Sequence, residues 1–238
     1  MTDFTFSCAR DLFDTYPALT VFGLRVTNMR TALGDGKADV LLAQAVAACT
    51  LDPERVVEEP QIAGWREAYG LMGVKPSKFR SSIEALLRRA AKKGELAIPV
   101  PAVNLYNACS IMAKAPMGAY DVDRLGAHHQ IQLRKAEVST DKFDPLGGDA
   151  AAFPLNPSLV VYASQDDVLC WGFNSRDSKL TCLTEESDSA LFFSEAALPV
   201  HVEPCRQSLV MLRDRFTAWG ATCGEIVVTN AASPSFLI

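Results

Sequence analysis

The sequence predicts an α/β (α+β) fold, a mixed β-sheet with helices packed on it. Three observations carry that reading. Segments of helical period and short segments rich in β-branched and apolar residues both recur along the 238 residues. They mix without strict strand–helix–strand alternation, so a mixed sheet is expected rather than a regular parallel one. The composition, 49% hydrophobic and 21% charged, is that of an ordinary globular chain. A chain this long can bury roughly 70% of its unfolded surface and needs no metal or disulfide staple.

The elements follow in order. Residues 18–27 (ALTVFGLRVT) read as a buried strand. Residues 37–50 read as a helix, with Leu41, Leu42, Val46 and Cys49 near helical spacing, and residues 60–71 as another, carrying Ile62, Trp65 and Tyr69. Residues 74–93 are the clearest helix. Ser77 follows Pro76 and is placed as its N-cap. Phe79, Ile83, Leu86, Leu87 and Ala90 form one apolar stripe, Lys92 and Lys93 suit the C-terminal dipole, and Gly94 ends it. A further helix is predicted over 101–115, then a turn marked by Pro116, Gly118, Asp121 and Asp123. Residues 131–138 alternate as a strand, and 144–157, with three prolines and two adjacent glycines, form a loop. Short strands are expected at 159–163, 168–173, 180–183 and 190–193, with 168–173 and 180–183 joined as a hairpin around residues 174–177. An amphipathic helix at 204–219 (Leu209, Leu212, Phe216, Trp219) and a strand at 225–230 complete the chain.

Charge and cysteine usage exclude several classes. The net charge of −5 and pI of about 5.3 exert no global attraction on nucleic acid or anionic membrane, so any such contact must be local. Cys8, Cys49, Cys109, Cys170, Cys182, Cys205 and Cys223 are odd in number and include no C-x-x-C pair, which reads as reduced, mostly buried thiols. Only three histidines exist (His128, His129, His201), none at finger-like spacing, so no metal site and no cofactor is expected. The start Met1-Thr2-Asp3-Phe4 lacks a basic region followed by an apolar run, and no apolar stretch approaches about 18 residues. These readings predict a cytoplasmic protein without a membrane partner. Nothing matches a nucleophile elbow, a P-loop or a dinucleotide fingerprint, so hydrolysis by this chain would use positioned water and polar groups.

Four stretches carry candidate chemistry. Between Lys75 and Lys93 lie seven cations (Lys75, Lys78, Arg80, Arg88, Arg89, Lys92, Lys93) and one acid, Glu84. That segment is about +6 and leaves about −11 on the rest. It reads either as a phosphate-facing surface or as a solvated helix face. Asn104 and Asn107 stand three apart on a predicted helix. Asparagine is a mediocre helix former, so the pair reads as amides aimed at a shared target or as a cap plus a satisfied polar contact. Thr184-Glu185-Glu186 follows a predicted strand and offers carboxylates for an amino or hydroxyl group, or simply exposed turn acids.

The ordered series Gly73-Val74-Lys75-Pro76-Ser77-Lys78-Phe79-Arg80-Ser81-Ser82, Val103-Asn104-Leu105-Tyr106-Asn107, Pro116-Met117-Gly118-Ala119-Tyr120-Asp121 and Leu183-Thr184-Glu185-Glu186 resembles the B3/B4 domain family. That family includes the editing domain of the bacterial phenylalanyl-tRNA synthetase β subunit and free-standing relatives. The resemblance spans roughly residues 64–195, and it implies one B3/B4-like domain over 1–238.

The resemblance further implies a pocket for the aminoacyl group on a tRNA 3′ end. Glu185 matches the family glutamate that recognises the misattached amino acid, and Asn107 matches an asparagine of the synthetase helix motif, while Asn104 replaces an aspartate there. Gly118 stands where the synthetase carries a histidine, which opens space and removes an imidazole. Asn104, Asn107 and Glu185 are then the expected catalytic set, with Gly118, Tyr120, Thr184, Glu186, Ser77 and Ser81 around the substrate. Lys75, Lys78, Arg80, Arg88 and Arg89 are expected on the tRNA. An aminoacyl ester is already activated, so an oriented water and support for the oxyanion suffice. The alternatives are a non-catalytic module that holds a free amino acid, a small ligand or a charged tRNA without cleaving it, and an adaptor that reuses the fold.

Overall fold

In the computed structural model, which describes residues 3–238, two open sheets carry helices packed over them, a mixed α/β architecture. Met1 and Thr2, part of the stretch read above for a leader, lie outside the described residues. In chain order the elements are β1 (Thr5–Cys8), α1 (Leu12–Thr15), β2 (Thr20–Thr27), α2 (Met29–Ala32), α3 (Lys37–Ala48), α4 (Pro60–Leu71), α5 (Ser82–Ala91), α6 (Pro101–Ala113), β3 (Gly118–Asp121), α7 (Val122–Leu125), β4 (Gln130–Lys135), β5 (Val160–Ser164), β6 (Asp167–Trp171), β7 (Arg176–Asp177), β8 (Ser189–Ala196), α8 (Pro199–Ala218), β9 (Thr222–Cys223), β10 (Val227–Thr229) and β11 (Ser235–Leu237).

The first sheet runs β11-β1-β4-β5-β6-β7, with β1 and β4 parallel and the other neighbours antiparallel. The second runs β10-β2-β8-β3, with β9 also on β2, and is antiparallel throughout. β2 and β8 pair along their whole lengths, from Thr20 opposite Ala196 to Thr27 opposite Ser189. Residues 190–196 are buried on both faces of the sheet. β8 therefore reads as a continuous apolar run rather than an alternation, interrupted only by Ser194 and Glu195. One core joins the sheets: Phe193 of β8 lies 5.1 Å from Phe6 of β1 and 5.9 Å from Tyr162 of β5, ring centre to ring centre. α8 covers the second sheet through Phe216, 5.6 Å from Phe192.

α4 approaches α8 closely because Gly64 has no side chain. A Cβ added there would stand 2.7 Å from Nε2 of His201. His201 stacks on Trp65 at 4.7 Å and 8°. Its Nδ1 accepts from the Leu198 N–H at 3.2 Å, so Nε2 carries the hydrogen and donates to the Gln61 carbonyl at 3.0 Å. Burial pushes the imidazole pKa down to about 4.

Three local expectations are corrected. The helix predicted from residue 74 begins at Ser82, and its cap is Ser81, whose Oγ accepts from the Glu84 N–H at 3.3 Å, rather than Ser77. Residues before it form turns closed on the Lys75 carbonyl, and Phe79 leaves the expected stripe to pack 4.7 Å from Trp171. Residues 180–183 are not a strand. β6 pairs instead with β7, because Gly172 and Phe173 adopt positive φ (64° and 59°) and reverse the chain earlier. Gly118 and Asp121, read as marking a turn, are the ends of strand β3 on β8. All seven cysteines are free thiols, five of them buried. Among the described residues no helix is long and apolar enough to cross a membrane.

Candidate functional site

The strand β8 brings a carboxylate into the core. Glu195 is 2% exposed, and a buried charge needs partners or a proton. Its Oε1 accepts from Asn174 Nδ2 at 2.6 Å and its Oε2 from the Tyr162 hydroxyl at 2.8 Å. Asn174 is itself held in place. Its side-chain oxygen accepts from Tyr69 OH at 3.2 Å and from the Ser82 N–H at 3.2 Å, while its carbonyl accepts from the same N–H at 3.1 Å. Tyr69 also donates to the Gly172 carbonyl at 2.8 Å. The tight reversal after β6 thus aims an amide at the acid, and the first residue of α5 locks the reversal.

This network borders a small cavity of about 30 Å³, room for one or two waters. Gly118 and Tyr120 of β3 form one wall, Ser82 and Asn174 another, and Asp177 and Glu195 supply two carboxyl groups. A Cβ added at Gly118 meets nothing within 4 Å, so the wall is open on that side. Ser82 Oγ is buried without a hydrogen-bond partner among the described residues. Desolvation pushes the Glu195 pKa up to about 7, with Asn174 and Tyr162 pulling it down and the Asp177 charge adding to the rise. Burial raises Asp177 as well, and the Cys170 thiol beside it is raised far above the ordinary thiol range. That thiol is protonated and not a nucleophile at neutral pH. The cavity can therefore bond donors and acceptors of a small polar group, and it offers no thiolate nucleophile.

The residues picked out in the sequence divide between places. Gly118 and Tyr120 line this cavity. Ser81 caps α5 beside it, and Ser77 is exposed on the preceding turn. Thr184, Glu185 and Glu186 line a different hollow, an open one of about 360 Å³ shared with Arg30 and Pro101. Glu185 and Glu186 are exposed there, Glu186 pairs with Arg30 at 3.2 Å, and Thr184 Oγ accepts from the Glu186 N–H at 3.3 Å. The acid that shares a cavity with Gly118 is thus Glu195, not Glu185.

Asn104 is fully buried and fully engaged. Its Oδ1 accepts from the Ile98 N–H at 3.0 Å, and its Nδ2 donates to Asp39 at 2.6 Å and the Ile98 carbonyl at 2.7 Å. It fastens the segment before α6 and has no free group for a ligand. Asn107 is half-buried and lines neither hollow. The asparagine pair therefore does not converge on one target.

The basic segment is also less free than its sequence suggests. Arg88 and Arg80 lie on Glu84 at 3.1 and 3.6 Å, joined by Arg66 of α4 at 3.1 Å. Arg89 donates to the Glu95 carbonyl at 3.2 Å. Lys93 Nζ donates to the Val46 and Ala47 carbonyls at 2.8 and 3.0 Å and to that of Cys49, closing the end of α3. Lys75 and Lys78 remain exposed, Lys78 over the Phe79 ring at 5.1 Å.

Sequence reading missed Glu195, Asn174, Tyr69 and Tyr162. One signal was available: an acid inside the apolar run Leu191-Phe192-Phe193-Ser194-Glu195-Ala196, since carboxylates in such runs are buried only with partners. Asn174 lay in a predicted turn and carried no such mark.

Comparison with known proteins adds one family. The profile of the B3/4 domain matches residues 64–214. No curated protein matches the chain. Among solved structures, an N-terminal fragment of the phenylalanyl-tRNA synthetase β-subunit from Pyrococcus horikoshii is similar at 12% identity and a TM-score of 0.48. The match covers 94% of this chain and 53% of that one, so the chain spans about half the length of that fragment.

Proposed function

The chain belongs to the B3/4 domain family, and from that premise we propose that it acts on the aminoacylated 3′ end of a tRNA, hydrolysing the ester of a misattached amino acid. The single observation that carries the reading is the small cavity where Gly118 and Tyr120 of one family-like stretch and Ser82 of another meet the buried acid Glu195. Glu195, held by Asn174 and Tyr162, accepts a hydrogen bond from a donor on the amino-acid side chain or its α-ammonium. Ser82 Oγ, buried and without a hydrogen-bond partner among the described residues, supplies a second contact. Water attacks the ester carbonyl carbon, the bond to the ribose oxygen breaks, and that oxygen leaves with a proton as the hydroxyl. Orientation accounts for most of the rate, because the ester is already activated.

The cavity holds only one or two waters when closed, so an aminoacyl group enters through the open side at Gly118 or by displacement of the turns before α5. That size, together with the protonated state of Cys170, favours one second reading: a non-catalytic module that holds a small polar ligand. Incubation of the purified protein with a panel of mischarged tRNAs separates the two. Release of free amino acid, slowed at least tenfold by Glu195→Gln and left unchanged by Glu185→Ala, supports hydrolysis. Survival of the whole panel, with thermal stabilisation by a free amino acid, supports the binding module and refutes the enzyme.

A further inference from the structure

We infer that Arg66, Arg80 and Arg88, gathered on the one buried carboxylate of Glu84, form a preorganised seat for a phosphate group of an RNA strand. The inference rests on the tRNA reading above and adds where the backbone is held. The Glu84 side chain is 1% exposed. Nη1 of Arg66 lies 3.1 Å from both of its oxygens, Nε of Arg88 lies 3.1 Å from Oε1, and Nε of Arg80 lies 3.6 Å from the same atom.

One guanidinium neutralises a carboxylate. Three leave a local surplus of two positive charges. The adjoining turn holds Arg55 paired with Glu58 at 2.6 Å and also Asp52 and Glu54, either side of the Pro53 whose carbonyl accepts from Arg88, so the surplus is felt most on the side of Arg80, away from that contact. Burying Glu84 does not require the third arginine. Arg80 stands beyond hydrogen-bond distance, has a side chain 48% exposed, and makes no side-chain hydrogen bond among the described residues. Like charges this close repel, and a second anion placed on their outer edges relieves that repulsion.

Chemistry and position both suit phosphate. Each guanidinium has five N–H donors in a planar fork. Arg66 and Arg88 use some on Glu84 and on the Pro76 and Pro53 carbonyls, and the remainder can meet a tetrahedral oxyanion. Glu84 has already restricted the arginine rotamers, which lowers the ordering loss on binding. Arg80 is two residues from Ser82, at most roughly 7 Å of backbone. Its carbonyl accepts from Ser175 Oγ at 3.0 Å, beside Asn174. A ligand with a phosphate within one nucleotide of an acylated ribose matches that order.

The test is tRNA binding by fluorescence anisotropy between 50 and 200 mM salt, with inorganic phosphate titrated separately. Arg80→Gln leaves Glu84 its two nearer partners, so the fold is retained, as a melting curve checks. We expect Arg80→Gln to lower the slope of log affinity against log salt by about 0.7. The variant then loses roughly two- to threefold less affinity than wild type across that range. Arg80→Lys, which keeps the charge, restores the slope, and Lys92→Gln at the far end of α5 leaves it unchanged. Equal slopes for wild type and Arg80→Gln overturn the phosphate seat and leave the cavity proposal standing. A loss of inorganic phosphate binding with tRNA slopes unchanged also overturns it, since the seat then serves a free anion. Wild-type protein that binds no tRNA at any salt overturns this inference and the tRNA reading together, whereas cleavage by a variant of normal slope separates them.

Discussion

Replacing Glu195 by glutamine keeps the shape of the side chain and removes the titratable group from the cavity. The fold holds the Glu195 proton up to a pH of about 7, against an ordinary value of 4.5. Between those limits the unfolded chain has lost the proton and the folded chain retains it, so raising the pH across that window destabilises the fold. The stabilisation is complete below pH 4.5, lost as the pH rises through about 7, and amounts to about 3 kcal/mol. His201 works in the opposite sense. Its folded pKa of about 4 lies below the ordinary 6.5, so stability rises with pH between those values by a similar amount. In the wild-type chain the two slopes oppose each other over most of pH 4.5 to 6.5. In Glu195→Gln the His201 slope stands alone. Thermal melts from pH 5 to pH 8 should show the variant gaining on wild type by up to about 3 kcal/mol, roughly 6–12 °C for a chain of this size. The glutamine amide oxygen can satisfy only one of Asn174 and Tyr162 in the old geometry. That loss offsets the two curves, and the offset is not the readout. Curves that run parallel from pH 5 to pH 8 would mean that Glu195 ionises in the fold as it does in water, and the account of the cavity would fail.

Two further outcomes follow from the packing. Asn104→Ala takes the acceptor from the Ile98 N–H and the amide donor from the Ile98 carbonyl and the Asp39 carboxylate, and should lower stability by about 1–3 kcal/mol. Urea denaturation measures this, with ester cleavage per folded molecule unchanged because Asn104 touches no cavity. Gly64→Ala places a Cβ 2.7 Å from His201 Nε2 and should destabilise by about 1–3 kcal/mol; a melting temperature equal to wild type would show that α4 and α8 are free to separate there.

Much of the fold was legible because its signals are local. The stripe of Ile83, Leu87 and Ala90 marks α5, and all three are buried. The apolar run at 18–27 corresponds to β2. What failed was decided at a distance. Phe79 fits a helical stripe by spacing, yet Trp171 draws it out of register, so the helix starts at Ser82. The hairpin expected to pair residues 180–183 turns early on two left-handed residues, one of them the non-glycine Phe173, which no composition rule flags. At the site, motif order led to Gly118 and Tyr120 but paired them with Glu185. The carboxylate that faces them comes from a strand whose burial on both sides is a tertiary fact. The arginines were visible as charge, and their convergence on Glu84 was not, because Arg66 comes from the preceding helix.

The full-length pairing of β2 with β8 has a kinetic consequence. The partners lie roughly 170 residues apart in the chain, and contacts of such sequence separation slow folding because the loop must close before the ladder forms. On a ribosome, residues 20–27 would wait with both edges unpaired until β8 had emerged, since β9 and β10 on the other edge come later still. Glu195 arrives on that ladder, so ligand recognition should appear only once β8 has been made, and nascent chains halted before β8 should be inert and sticky.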